Sequence, residues 1–246
     1  MTPTLKHIQE FRDVLKDYRI SDEGMQVLDG LRFVVMVGPS SSGRNTVIRE
    51  LVKKGDYHFV ISDTTRPPRM NDGKMEQNGV EYFFRTEEEM LDDLRNGRFL
   101  EAELIHDQQV SGISLRELQK VKENNKIAIT DMDLGGVTNV KRFKPDAIAL
   151  MLLPPSFEEW QRRMTGRGRM SDPELRRRLE TAAKIIADGL SKPYYRLVVA
   201  DNVGHAADTI DAIAKGGSSP QEGHAREILH DLQYQLQQKA DSMKFI

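Results

Sequence analysis

Residues 33–46 read Phe-Val-Val-Met-Val-Gly-Pro-Ser-Ser-Ser-Gly-Arg-Asn-Thr and constrain the fold more than any other stretch of this 246-residue chain. An apolar run stops at Gly38, a Gly-x-x-x-x-Gly element follows, and then a cation, Arg44, and a helix-compatible stretch from Val47 to Val52. Strand, Gly-rich turn and helix N-terminus in succession form a cradle for phosphate. The glycines let successive backbone N–H groups turn inward, and the helix end adds partial positive charge. The segment Gly38-Pro39-Ser40-Ser41-Ser42-Gly43-Arg44-Asn45-Thr46 is therefore a candidate site for the phosphates of a nucleoside triphosphate. Two positions depart from the usual loop. Arg44 stands in place of lysine, keeping the charge as a planar fork instead of a compact ammonium. Asn45 stands in place of Ser or Thr, so the hydroxyl that helps hold Mg²⁺ is expected from Thr46. Taken by itself, the segment also reads as a plain Gly/Ser-rich turn.

Composition narrows the setting. Cysteine is absent, which excludes disulfides, thiolate zinc sites and cysteine nucleophiles. The net charge of −2 offers no basic field for nucleic acid. No apolar run approaches the roughly 20 residues that span a bilayer. The N-terminal Thr-Pro-Thr-Leu-Lys-His carries no apolar signal core. A cytoplasmic protein that uses neither membrane nor nucleic acid is the expectation.

Apolar strand candidates recur at 33–37, 58–61, 127–130, 147–153 and 197–200, with helical patterns between them at 46–54, 87–96, 115–124, 157–164, 172–187 and 205–215. Strands alternating with helices predict an α/β fold, a parallel sheet covered on both faces. Leu5, Ile8, Phe11, Leu15 and Tyr18 predict an amphipathic helix over 5–18, broken at Ser21-Asp22-Glu23-Gly24. Residues 216–223 read as a linker, and a last helix over 225–240 carries an apolar stripe that must dock on something.

Three further constellations carry charge. Ser62-Asp-Thr-Thr-Arg66-Pro-Pro-Arg69 directly follows a strand, and its prolines stiffen a pair of close arginines into an anion clamp at the carboxyl end of a sheet. In isolation Arg66 and Arg69 read equally as solvated surface residues. Asp131-Met-Asp133-Leu-Gly-Gly136 ends another strand with two carboxylates, suited to a metal-water or substrate contact, or simply to a turn. Arg163-Met-Thr-Gly-Arg167-Gly and the later Arg178 place cations where glycines permit bending, as a closing segment for phosphoryl transfer requires.

Taken in order, these sets resemble the guanylate kinase family over roughly residues 32–215, the Ser62-x-x-Thr65-Arg66-x-x-Arg69 block being the most specific part. The resemblance implies a P-loop NTPase-type parallel sheet flanked by helices, with a GMP-binding lobe at about 62–120 and a helical lid at about 158–190. It implies that Ser62, Arg66, Arg69 and Tyr82 bind the GMP phosphate and that Glu101, in Phe99-Leu100-Glu101, reads the guanine. It makes Asp133 a guanine and metal-water neighbour, with Asp131 acting through water, and gives Arg44, Arg163, Arg167 and Arg178 catalytic charge. ATP and GMP are the implied substrates and Mg²⁺ the implied cofactor, in a monomer or homodimer. Residues 1–30 and 216–246 lie outside the resemblance.

Besides Arg44 and Asn45, the chain departs from the family pattern at Ser41, where a third glycine is usual, and at 70–78, which is longer than typical. The block Val110-Ser111-Gly112-Ile113-Ser114 lacks the family's second tyrosine. An eroded loop on this fold also describes a catalytically silent module that binds a nucleotide or a phosphoprotein, although such a module has little need of a cationic lid. A kinase with another acceptor, such as a ribose bisphosphate, is the other alternative.

Overall fold

The structure is a computed structural model that describes residues 5–71, 73–166 and 171–243. In chain order the elements begin with α1 (Ile8–Lys16), α2 (Asp22–Leu28), β1 (Phe33–Val37), α3 (Arg44–Lys53), β2 (Tyr57–Phe59), β3 (Asp63–Thr64), β4 (Met70–Asn71), β5 (Lys74–Met75) and β6 (Phe83–Phe84). Then come α4 (Glu87–Arg95), β7 (Phe99–Ile105), β8 (Gln109–Ser114), α5 (Leu115–Glu123), β9 (Ile127–Asp131), α6 (Leu134–Phe143) and β10 (Ile148–Leu153). The chain closes with α7 (Phe157–Thr165), α8 (Asp172–Ser191), β11 (Tyr195–Val199), α9 (Val203–Ala214) and α10 (Glu222–Met243). It divides into two compact units: one gathers the residues up to Arg32 with His58–Ala128 and Thr138–Asp146, the other Phe33–Tyr57, Ile129–Val137 and everything from Ala147 on.

A five-stranded sheet runs in the order β11-β10-β1-β9-β2, with β10 parallel to both β1 and β11. Every residue of β1 is buried, and so is β10 from Ala149 onward. Burial on both faces explains why these strands read as unbroken apolar runs. The apolar stripe of α10 docks within its own unit: Ala225, Leu229, Leu232 and Leu236 are buried, and the helix packs along α8 and β11. Gly189 of α8 permits that approach, since a Cβ there would stand 2.4 Å from Met151 Sδ and 3.5 Å from Leu229.

The other unit is built on the sheet β6-β3-β8-β7, antiparallel except for the β3–β6 pair. Its core joins Leu5, Phe11 and Tyr18 from the N-terminal segment to Met90, Leu94 and Phe99. The N-terminal helices are thus part of this unit's core: α1 packs on α4 and β7, and α2 packs on α5.

Two readings of the sequence need correction. Ser21-Asp22-Glu23-Gly24 starts a helix instead of ending structure, because the Ser21 hydroxyl accepts the Gly24 N–H at 3.1 Å and caps α2. Gly24 sits inside that helix because a Cβ would strike Leu115 at 2.3 Å. Residues 134–143, unassigned by periodicity, form α6, whose start Asp133 caps by accepting the Gly136 N–H at 2.8 Å.

Candidate active site

The predicted phosphate loop joins β1 to α3. Gly38 is required by space, since a Cβ there would lie 2.4 Å from the Leu152 carbonyl oxygen. Gly43 is required by backbone, at φ +107° immediately before the helix. Ser41, the residue standing where the family has glycine, also adopts a left-handed conformation at φ +67°. The loop closes on itself through the Ser42 N–H, which donates to the Pro39 carbonyl at 3.0 Å. Among the described residues, the buried hydroxyls of Ser41 and Ser42 have no hydrogen-bond partner. Buried polar atoms are nearly always satisfied, so two orphaned hydroxyls just before a helix N-terminus fit phosphate oxygens as their partners.

The loop is braced from behind. Trp160, fully buried on α7, donates its indole N–H to the Ser40 carbonyl at 2.7 Å. Arg163 donates Nη1 to the Ser42 carbonyl at 3.3 Å, Nη2 to the Ala200 carbonyl at 2.8 Å and Nε to Glu159 at 2.8 Å. Hydrogen bonds from Arg162 and Arg163 hold the Glu159 carboxyl down at about 2. The sequence reading gave Arg163 a closing role, whereas its guanidinium here ties the loop to the strand end after β11. No spacing in the sequence marks Trp160 for this bond, which only the fold reveals. Arg178 on α8 stands 3.4 Å from the Ser40 hydroxyl and pairs with Glu174 at 2.6 Å. Arg167 lies outside the described residues. A cavity of about 380 Å³ opens beside the loop, lined in part by Gly43, Thr46, Arg163, Ala200 and Val203.

Arg44 opens α3, and its Nη1 lies 3.3 Å from Asp131 Oδ2 at the end of β9. Asn45 and Thr46 are exposed in the helix's first turn. A threonine hydroxyl and an aspartate are hard oxygen donors, the chemistry Mg²⁺ takes, so the residues present fit the implied ion. Asp131 ends β9, and Asp133, two residues beyond, spends one oxygen capping α6, as a turn-forming aspartate does.

The predicted anion clamp is assembled in the other unit. The Arg66 guanidinium stacks over Tyr82, 4.7 Å from the ring centroid, with Phe84 at 5.7 Å. Its end-on fork is taken by Glu76, with Nη1 to Oε2 at 2.6 Å and Nη2 to Oε1 at 3.0 Å. Glu76 also accepts the Arg69 backbone N–H at 2.9 Å, so one carboxylate fixes both arginines of the motif. Arg66 above all pulls the Glu76 carboxyl down to about 2. Their side chains are 8% and 9% exposed. The Arg69 side chain is exposed and reaches Gln109, which in turn bonds Ser111. That polar chain continues to Thr64 and occupies the stretch where the family's second tyrosine is missing. Ser62 leads into β3 and accepts the Phe83 N–H on its carbonyl at 2.9 Å. Glu101, buried on β7, belongs to the same unit. Glu76 escaped the sequence reading because a lone glutamate in the long 70–78 segment shows no spacing signal.

The guanylate kinase family model matches residues 30–215. The guanylate kinase of Corynebacterium efficiens is 33% identical over 187 residues, covering 75% of this chain and 95% of that protein. The guanylate kinase of Schizosaccharomyces pombe is 36% identical over 187 residues, covering 74% of this chain and 90% of its own. In fold, the crystal structure of guanylate kinase from Anaplasma phagocytophilum superimposes with a TM-score of 0.53 at 24% identity, covering 76% of this chain and 85% of that one.

Proposed function

The chain belongs to the guanylate kinase family, and from that premise we propose that it transfers the γ-phosphoryl group of ATP to GMP, giving ADP and GDP. The observation that carries this reading is the presence of two separately built anion sites. One is a loop with orphaned hydroxyls, and the other is Arg66, stacked on Tyr82, with the Arg69 backbone, both held by the Glu76 carboxylate.

Both substrates are anions, so cations must offset their mutual repulsion before chemistry begins. Arg66 and Arg69 neutralise the GMP phosphate, with Tyr82 supporting the Arg66 guanidinium from its face and Ser62 at the strand end beside it. Glu101 accepts the N–H groups on the guanine edge, and Asp133 is a further guanine contact. The N–H groups and hydroxyls of Gly38–Thr46 hold the donor phosphates, and Arg44 supplies the cation at their far end. The acceptor's phosphate oxygen attacks the γ-phosphorus in line, the bond to the β-bridging oxygen breaks, and ADP leaves with that electron pair. No protein nucleophile takes part. Arg178 and Arg167 stabilise the charge spread over the transferring oxygens, while Arg163 acts through the loop it braces. Thr46, and Asp131 through water, would hold Mg²⁺, which would supply charge neutralisation for the β- and γ-phosphates.

Among the described residues no helix is long and apolar enough to cross a membrane, and we assign the reaction to the cytoplasm, where nucleoside triphosphates are available. The test is ADP release from Mg-ATP with GMP, AMP, IMP or no acceptor. Release that requires GMP supports the proposal. ATP binding without release on any acceptor would show a silent module instead.

A further inference from the structure

β7 is the edge strand of its sheet, so among the described residues one side of its backbone has no neighbouring strand. At Phe99 that side is occupied by a side chain from outside the family domain. The Tyr18 hydroxyl donates to the Phe99 carbonyl at 2.6 Å and accepts the Phe99 N–H at 2.7 Å, taking the place of a ladder partner. The contact extends along the chain. The Ser21 N–H donates to the Gly97 carbonyl at 3.0 Å. Gly97, at φ +64°, lies so close that a Cβ would stand 2.5 Å from Ser21 N and 2.8 Å from Arg19 O. Residues 18–21 are therefore pressed along residues 97–99.

This contact sits beside a β-bulge. Phe99 lies opposite Ser114 and Glu101 opposite Ile113, so β7 advances two residues while β8 advances one. An extra residue inverts the alternation of a strand. Phe99, Ala102 and Leu104 all pack into the core with Phe11 and Tyr18. Glu101, two residues beyond Phe99, consequently faces the opposite side. Without the slip, its carboxylate would point into apolar packing. A bulge interrupts ladder bonding, and on an edge strand no second neighbour compensates. Here a buried phenol does.

We infer that Tyr18 is a positioning residue for Glu101: by clamping both backbone groups of Phe99 it holds the bulge that presents the base-reading carboxylate. This rests on the reading of Glu101 given above. Burial pushes the Tyr18 hydroxyl up to about 12, so it remains a donor at any working pH.

The test uses the full chain and the variant Y18F, which keeps the ring and removes the clamp. IMP is the discriminating acceptor, since it lacks the 2-amino group that distinguishes guanine. A hydrogen bond to a charged group contributes about 1.5–3 kcal/mol, so weakening it through a partial slip is expected to raise KM for GMP about tenfold. The GMP-over-IMP preference falls by about the same factor, while KM for ATP and kcat at saturating GMP stay within about twofold. Backbone amide exchange at Phe99 accelerates. A second variant, G97A, drives residues 19–21 away without touching a side chain of the site, and the same KM split is expected. Unchanged KM and preference in folded Y18F overturn the inference. E101A separates the two layers: loss of the preference there, with none in Y18F, refutes Tyr18 alone, whereas an intact preference in E101A refutes the reading of Glu101 itself.

Discussion

Ser41 is the residue at which this phosphate loop departs most plainly from glycine, and its replacement by glycine has a calculable effect. An L-residue in the left-handed region costs about 1–2 kcal/mol, and Ser41 lies there at φ +67°. Among the described residues its hydroxyl is buried without a partner, and a buried unsatisfied group costs about 1–3 kcal/mol. Against these, glycine adds freedom to the unfolded chain worth about 0.5–1 kcal/mol. The balance is a stabilisation of about 2 kcal/mol for Ser41→Gly in nucleotide-free protein. For a chain of this size that raises Tm by about 4–8 °C. Nucleotide reverses part of the gain. A hydroxyl donating to phosphate contributes about 1.5–3 kcal/mol, so the further rise in Tm on adding Mg-ATP is smaller in the variant, and its ATP affinity is roughly 10- to 150-fold weaker. Thermal unfolding of both proteins with and without Mg-ATP measures all four quantities. A lower Tm for nucleotide-free Ser41→Gly would refute the reasoning, because it would mean that the native turn carries no strain and the hydroxyl is satisfied.

Other outcomes follow from the same geometry. Glu76→Gln removes the charge that fixes Arg66 and Arg69, so KM for GMP rises at least tenfold while KM for ATP is unchanged; steady-state kinetics with each substrate varied checks this. The Glu76 carboxyl is held at about 2 against an ordinary 4.5. Its contribution to stability is therefore complete above about pH 4.5 and lost as pH falls toward 2, and an acid unfolding curve should be flatter over that window in Glu76→Gln. Arg44→Ala should lower turnover by about 10²–10³, whereas Arg44→Lys, which keeps the charge, should stay within about tenfold of the parent; a lysine variant as inactive as alanine would show that the loop depends on the guanidinium fork. Arg167→Ala should cut kcat by about 10²–10³ with little change in nucleotide Kd, and equal losses in both would count against a role in transfer.

Legibility in the sequence tracked the range of the forces involved. β1, β9 and β10 declared themselves because burial on both faces demands unbroken apolar residues, and the phosphate loop because its glycines answer local needs of space and φ. The Arg66-x-x-Arg69 clamp was visible as a motif, but the Glu76 that fixes it was not, since that pairing spans ten residues with no periodicity between them. β3 to β6 are two residues each, too short for any alternation to register. α2 was hidden by Gly24, which signals a break until Leu115 is seen packed against it. Tyr18 read as one more position on an apolar helix face, and its hydroxyl finds Phe99 only across 81 residues of chain.

The central claim is phosphoryl transfer between two nucleotides, and following the phosphorus tests it most directly. With Mg-ATP labelled at the γ-position and an equal concentration of GMP, the account predicts label in GDP, one for each ADP formed, and none in inorganic phosphate. Label that stays in ATP, or appears only as inorganic phosphate, would contradict it.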